Sequence, residues 1–508
     1  MLLEPDDRTH FDAIILGTGL AESILAASLA KAGKTVFHLD SNRYYGSKDA
    51  SLSLAELTGW ISARQQSPTL SSASASDSTT YRLDHLSNER SIYSHVSSCF
   101  PSVNHPQETL MKESRSYALS LSPSLLPASC EFVTSLVTSG VHHYTGFQLL
   151  AASYSHEHND GQTAWRKVPM TKQDVFVDSS LSLPDKHRLM KFIRYASQES
   201  TLDLDASAHF SETLSTQFGL KQSLIDGIAC AAALSSSGAS QTGAALQRLS
   251  QYLSGVGRFG TSPFLVGQYG GAGEVAQGFC RQVVCAVHGG VYVLGGFEVD
   301  VDALRPSITL YSNADATGEQ QTITADHLFA APSYLPPGSL QASLQQVSRY
   351  ELCAILILDA PIAIAPVESA EQDDDEAPKQ DNLLFVFPPS TADGEAASTV
   401  FALQTTSSTY ACPDGRAVLH VIAMTSEKLD AKAYLTPFIR KLLSGKANIL
   451  FEAFFTRALP DIRQGVGKLQ PVCSMTTEGV LAQSCQDALT VATRLHRLVA
   501  DSPPFDTA

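Results

Sequence analysis

Basic residues, tryptophan and long apolar runs are what this 508-residue chain has least of. Lysine and arginine total 35 against 51 aspartates and glutamates, a formal net charge of −16 that argues against a general nucleic-acid binder. There are two tryptophans, and no stretch reaches the apolar length a membrane span needs. The opening residues, MLLEPDD, are too acidic for a secretory signal. Nine cysteines lie scattered without a CxxC pair, a pattern of reduced thiols that points to the cytosol. Cys280 and Cys285, His142 and His143, and His156 and His158 are the close ligand-type pairs, and without a second cluster at metal spacing no metal is expected. Absent too are a GxSxG elbow, a Walker loop, an HExxH helix and paired catalytic carboxylates. The final PPFDTA holds no prenylation box, so any lipid handled by the protein is expected on a partner.

What the sequence does contain begins at residues 11–46, FDAIILGTGLAESILAASLAKAGKTVFHLDSNRYYG. Residues 11–16 read as a buried strand, Gly17-Thr18-Gly19 as a tight turn, 21–32 as a helix and 35–40 as a second strand. Such a βαβ unit opens a dinucleotide-binding fold. Gly17 permits the turn, Gly19 lets a phosphate approach, and Asp40 ends the second strand where a ribose hydroxyl would lie. The third glycine of the fingerprint is missing, and Glu22 stands in its slot, a carboxylate at the helix end that normally attracts pyrophosphate. Two readings stay open: Glu22 merely caps the helix, or the fold has been kept and the nucleotide lost.

Further along, 62–110 breaks the regular pattern around a Ser/Ala/Thr-rich segment at 66–80, and is expected to be a mobile insertion. Order returns with a strand at 117–121 and a helix at 125–139, its apolar face Phe132, Val133, Leu136 and Val137 and its stop Gly140. Helical signals dominate to about residue 255. Pro184 and Asp185 open a helix over 183–196, and residues 221–234 form one rich in alanine, which either packs very closely, the usual explanation, or leaves room beside it. In 258–294, Gly270, Gly271 and Gly273 turn the chain into a helix starting near Glu274, and Gly289-Gly290 return it to a strand at 291–294. Glu274, Gln277 and Arg281 share a face of that helix. Strands at 322–330, 352–358, 383–387, 399–404 and 417–424, and helices at 431–443 and 478–498, complete the chain around an acidic insertion at 366–382.

GTGLAESI followed by HLDSNRYYG, the passage from Arg115, and the block 258–294 together resemble the superfamily of Rab GDP-dissociation inhibitors and Rab escort proteins. The Glu-Ser pair after GTGLA resembles the escort branch, as does KVPMTKQDVFVDSSLSLPDKHRLMKFI from Lys167. The resemblance implies an α/β fold: a Rossmann-like domain of FAD/NAD(P)-binding type without a working nucleotide site, an added antiparallel sheet, and a smaller all-helical lipid-binding domain. It divides the chain into sheet domain I at 1–122 and 256–500, helical domain II at 123–255, and a tail at 501–508. By resemblance, Tyr44, Tyr45, Glu274, Gln277 and Arg281 would grip a GDP-bound Rab GTPase. Phe176, with His187 or Arg188 as its basic companion, would dock the Rab geranylgeranyltransferase alpha/beta heterodimer. The helical domain would shelter the geranylgeranyl chain before delivery to a membrane. No catalytic residue, cofactor or metal is implied; Gly17, Gly19, Glu22 and Asp40 would be vestiges. Recycling of prenylated Rabs, and an FAD-dependent oxidoreductase, are the competing readings.

Overall fold

The computed structural model describes residues 8–65, 79–102, 107–159, 162–197, 204–237, 240–283, 286–295, 297–312, 320–364, 381–389, 398–473 and 480–505. The opening unit is as the sequence predicts: β1 (His10–Leu16), α1 (Leu20–Lys31) and β2 (Val36–Asp40). β1 pairs in parallel with β2 on one side and with Gln320–Ala330 on the other, and β2 takes Val291–Leu294 in parallel at its outer edge. Beyond Gln320–Ala330 the sheet turns antiparallel through Ser307–Ser312 and Phe297–Asp302 to Thr80–Arg82, with Leu469–Pro471 as the eighth strand. α1 is buried from Leu20 to Ala30 on every side. It is sandwiched between this sheet, the long helix Val480–His496 and the helix that starts at Ala272, so it needs no polar face.

A second eight-stranded sheet, antiparallel apart from one parallel pair, runs Gln162–Lys167, Ala152–Asn159, Leu383–Phe387, Val400–Thr405, Ala417–Thr425, Tyr350–Leu358, Ile449–Ala458, Tyr93–Cys99. The helix Ala431–Leu443, capped by Asp430, covers one face with Leu435, Ile439 and Leu442. The helices Lys172–Val177, Leu183–Ala196, Phe210–Phe218 and Thr242–Ser254 form a separate cluster.

Several expectations are corrected. Within 62–110 the structure holds the end of helix Leu54–Gln65, the edge strand Thr80–Arg82, helix His85–Ile92 and strand Tyr93–Cys99, so this stretch contributes a strand to each sheet. Residues 66–78 of the Ser-rich segment, and 366–380 of the acidic insertion, lie outside the described residues. The helix expected at 125–139 starts only at Glu131, because Leu125–Pro127 pairs with Phe264, Leu265 and Val266 as a strand. Val137 is exposed, while Phe132, Val133 and Leu136 face the core. Residues 152–167 interrupt the expected run of helices with a hairpin of the second sheet. The alanine-rich helix begins as Gln222–Asp226, continues as a π-helical turn, Gly227–Ala232, and lies on that sheet, where a Cβ at Gly227 would sit 3.5 Å from Val168. Small residues there serve close packing.

Candidate functional site

The carboxyl ends of β1 and β2, where such folds hold a nucleotide, are filled by the chain itself. Asp40 is buried and saturated. Its Oδ2 accepts from the Thr18 amide (2.8 Å), the Thr18 hydroxyl (2.6 Å) and the Ser47 hydroxyl (2.6 Å). Its Oδ1 accepts from the Tyr334 hydroxyl (2.7 Å) and from the Asn42 amide (2.8 Å) and side chain (3.0 Å). No lone pair is left for a ribose. At the head of α1, Asp49 Oδ2 accepts from the Leu20 amide at 2.9 Å, putting a carboxylate where a pyrophosphate would sit. Glu22 makes no cap. It is buried, its Oε2 has no partner, and burial pushes its carboxyl up to about 8. A Cβ added at Gly19 would lie 2.5 Å from that oxygen, so Glu22 fills the space by which a phosphate would approach. These residues do not fit a dinucleotide.

On the other side of the same segment, residues 51–53 border an open recess of about 340 Å³ that brings together Tyr44, Tyr45, Glu274 and Gln277 from two distant stretches of chain. The glycines make this possible. Gly270 and Gly271 have positive φ (86° and 76°), and a Cβ at Gly273 would strike the Ser51 amide at 2.5 Å, so only glycine lets helix Ala272–Gln277 press against residues 49–51. Glu274 is half-buried, and burial raises its carboxyl above the usual range. Tyr45 leans on Tyr292, ring centroids 5.8 Å apart. Tyr44 turns its hydroxyl inward to the Arg64 guanidinium, which lies 4.2 Å over the Trp60 ring and pairs with Glu89. Its phenol is raised by burial, with Arg64 opposing. The backbone of Arg281 continues the helix in the π-helical turn Gly278–Val283; its side chain lies outside the described residues.

Phe176, His187 and Arg188 stand apart from this recess, at the helical cluster. Phe176 is 67% exposed on the short helix Lys172–Val177, which is closed by a reciprocal Thr171–Asp174 capping box. Val177 (60%) and Leu183 (83%) are exposed beside it in sequence, and Lys186 Nζ donates to the Phe176 carbonyl at 2.7 Å. His187 and Arg188 are both on the surface of Leu183–Ala196, and Arg188 Nη1 is 3.4 Å from Asp185.

Sequence reasoning missed Asp49, Ser47 and Tyr334, which close the nucleotide site, and Arg64, which sets Tyr44. Only Asp49 gave a signal: an acidic residue just after the Gly46 turn. Also missed was Tyr269 at the rim, stacked 4.8 Å from Tyr410, both with left-handed backbones. No group of three or more metal-type ligands occurs among the described residues.

With this geometry established, the chain belongs to the GDP dissociation inhibitor family, whose pattern matches residues 7–86 and 88–372. It is 27% identical over 460 residues to the Drosophila melanogaster Rab proteins geranylgeranyltransferase component A, covering 88% of this chain and 81% of that one. Arabidopsis thaliana Rab escort protein 1 is 28% identical over 490 residues, with the same coverages of 88% and 81%. The Saccharomyces cerevisiae component A is 28% identical over 418 residues, 81% of this chain; the match spans about three-fifths (61%) of that relative's length. Among solved structures, the Rab GDI of Plasmodium falciparum superposes with a TM-score of 0.65 at 20% identity, covering 98% of this chain and 99% of that one. An oxidoreductase from Methanosarcina mazei follows at TM-score 0.51 and 11% identity over 94% of this chain and 99% of that one, a likeness of fold alone.

Proposed function

We infer that this chain is a Rab escort protein, a non-catalytic accessory component of Rab geranylgeranyltransferase working in the cytosol. The observation that carries the reading is the pairing, in one chain of this family, of the Tyr45/Glu274/Gln277 recess with a separate exposed Phe176. In this reading the recess, with Arg281, binds the GDP-bound Rab. Phe176 and the neighbouring His187 or Arg188 hold the alpha/beta heterodimer. His187 is the freer of the two, since Arg188 is drawn toward Asp185. The Rab C-terminal cysteines are presented for geranylgeranylation, after which the helical cluster shelters the lipid until membrane delivery. Burying a prenyl chain is worth about 0.8 kcal/mol per CH₂, so a carrier competes with a bilayer only when protein contacts add to it. The closed Asp40 and Asp49 network weighs against the flavoenzyme reading.

The test is geranylgeranylation of a purified Rab by the heterodimer with and without this protein. Product that requires its addition supports the escort role. Extraction of already prenylated Rab from membranes without stimulation would move the protein to the recycling branch of the family.

A further inference from the structure

The loop 406–416 joins strands Val400–Thr405 and Ala417–Thr425 of the second sheet, yet it is fastened to the recess. The Ala118 amide donates to the Ala411 carbonyl at 3.0 Å, and Arg416 Nη1 donates to the Tyr117 hydroxyl and to Glu113. Tyr117 and Ala118 both line the recess, as does Tyr269 on the turn Gln268–Gly270. Where the loop meets the rim, Tyr410 lays its ring on that of Tyr269, with centroids 4.8 Å apart and planes 9° from parallel. Neither ring belongs to a core: Tyr269 is 48% and Tyr410 54% exposed. Both backbones are left-handed, with φ of 51° and 54°, a region costly for a bulky aromatic and open to glycine. An aromatic pair returns less free energy than two such backbones cost, so the stack alone does not account for the two tyrosines.

We propose that the Tyr269–Tyr410 plate is the apolar arm of the partner surface, and that it takes an apolar or aromatic side chain from the folded domain of the GTPase seated on the recess. The inference rests on the Rab-binding reading of the recess and carries that surface onto the second sheet. Continuity is its first support. A stable interface covers about 800 Å² per partner, a patch on the order of 30 Å across. A globular partner in contact with Tyr45 and Glu274 therefore extends past Tyr269, which lines the same recess, to the ring stacked beside it. Chemistry is the second support. The charges that hold the loop, Arg416 and Glu113, are paired with each other, so the plate offers ring faces without an unbalanced charge. Tyrosine brings a large apolar area with few rotatable bonds, and here each ring is held by the other before a partner arrives. Such preorganisation lowers the entropy cost of association, which is the return on the strained backbones.

The experiment is surface plasmon resonance of the full chain against a purified GDP-bound Rab and, separately, the transferase heterodimer. It compares the wild type, Tyr410→Gly, Tyr410→Phe and Glu274→Ala, with a urea midpoint for each. Tyr410→Gly relieves the left-handed backbone while removing the ring, so its expected effects differ in sign. Its urea midpoint is expected to equal or exceed that of the wild type, while Rab binding weakens about fivefold and heterodimer binding is unchanged. The loss is expected to be the same at low and high salt, as for an apolar contact, and Tyr410→Phe to recover most of it. Rab affinity unchanged in Tyr410→Gly but weakened in Glu274→Ala overturns the plate and leaves the recess reading standing. Affinity unchanged in both, or no Rab binding by the wild type, overturns the recess reading and the plate with it. Stability and Rab affinity falling together in Tyr410→Gly also overturns the plate, because the ring would then be a structural prop.

Discussion

The two faces of the segment 47–53 treat polar groups in opposite ways. On the inner face Ser47 and Asp49 give their side chains to the protein's own backbone and to Asp40, closing the crevice that the fold normally offers to a nucleotide. On the outer face Ser51 and Ser53 border a recess whose Glu274 and Gln277 face solvent space rather than the core. One segment, a few residues long, thus separates a site converted to internal support from a surface available to a macromolecule. The lesson is that a fold can close its inherited ligand crevice while leaving an open recess on the other side of the same wall.

The comparison can be broken most forcefully from the inside. Asp40→Ala leaves the hydroxyls of Thr18, Ser47 and Tyr334 buried without their acceptor, and is expected to cost about 3–5 kcal/mol of stability, read from the urea midpoint. A result near zero would mean that the network is not what holds the crevice shut. Glu22→Gln acts with the opposite sign. The folded-state carboxyl titrates near 8 against an ordinary value of 4.5, so in the wild type stability is undiminished below about 4.5 and declines as pH rises to about 8. The variant is therefore expected to match the wild type at pH 4 and to exceed it by on the order of a few kcal/mol at pH 8, in melts taken across that range.

Surface changes sharpen the comparison with smaller effects. Phe176→Ala removes an exposed ring, so its melting temperature is expected to stay unchanged while affinity for the transferase heterodimer falls by about 2 kcal/mol, measured by surface plasmon resonance. Glu274→Ala is expected to weaken binding of GDP-bound Rab by about 1 kcal/mol and to spare transferase binding, with Arg281→Ala acting in the same direction. If either substitution reduced both affinities equally, the recess and the Phe176 surface would not be separate.

Legibility from sequence followed the strength of local signals. β1, α1 and β2 were readable because an apolar run, a glycine turn and a second run occur without interruption, and Leu183–Ala196 because Ser182, Pro184 and Asp185 mark its start. Helix Ala431–Leu443 and strand Leu383–Phe387 fell on their expected residues for the same reason. Strand Tyr93–Cys99 was not readable, since a sheet-edge strand of serine and histidine is mostly half-buried and carries little apolar alternation. The hairpin at 152–167 did have a signal, Asp160-Gly161 between two polar strands, but histidine and serine masked the alternation around it. In the recess, Tyr44 and Tyr45 are adjacent in sequence yet differ in what they present, and nothing in the dipeptide tells that Arg64 draws one hydroxyl inward. That difference depends on the Trp60 and Glu89 side chains, which lie on helices arriving from elsewhere.

Asp49 at the head of α1 has a consequence for how the protein comes into being. In a flavoprotein the positive end of this helix waits for a phosphate supplied by the cell's vitamin economy, and the apo form carries an uncompensated dipole until loading. Here the counter-charge is synthesised with the chain, 29 residues after the amide it serves. The charge that balances the head of α1 is therefore part of the polypeptide itself, whereas Asp40 completes its hydrogen bonds only once Tyr334 has arrived from the far end of the sheet.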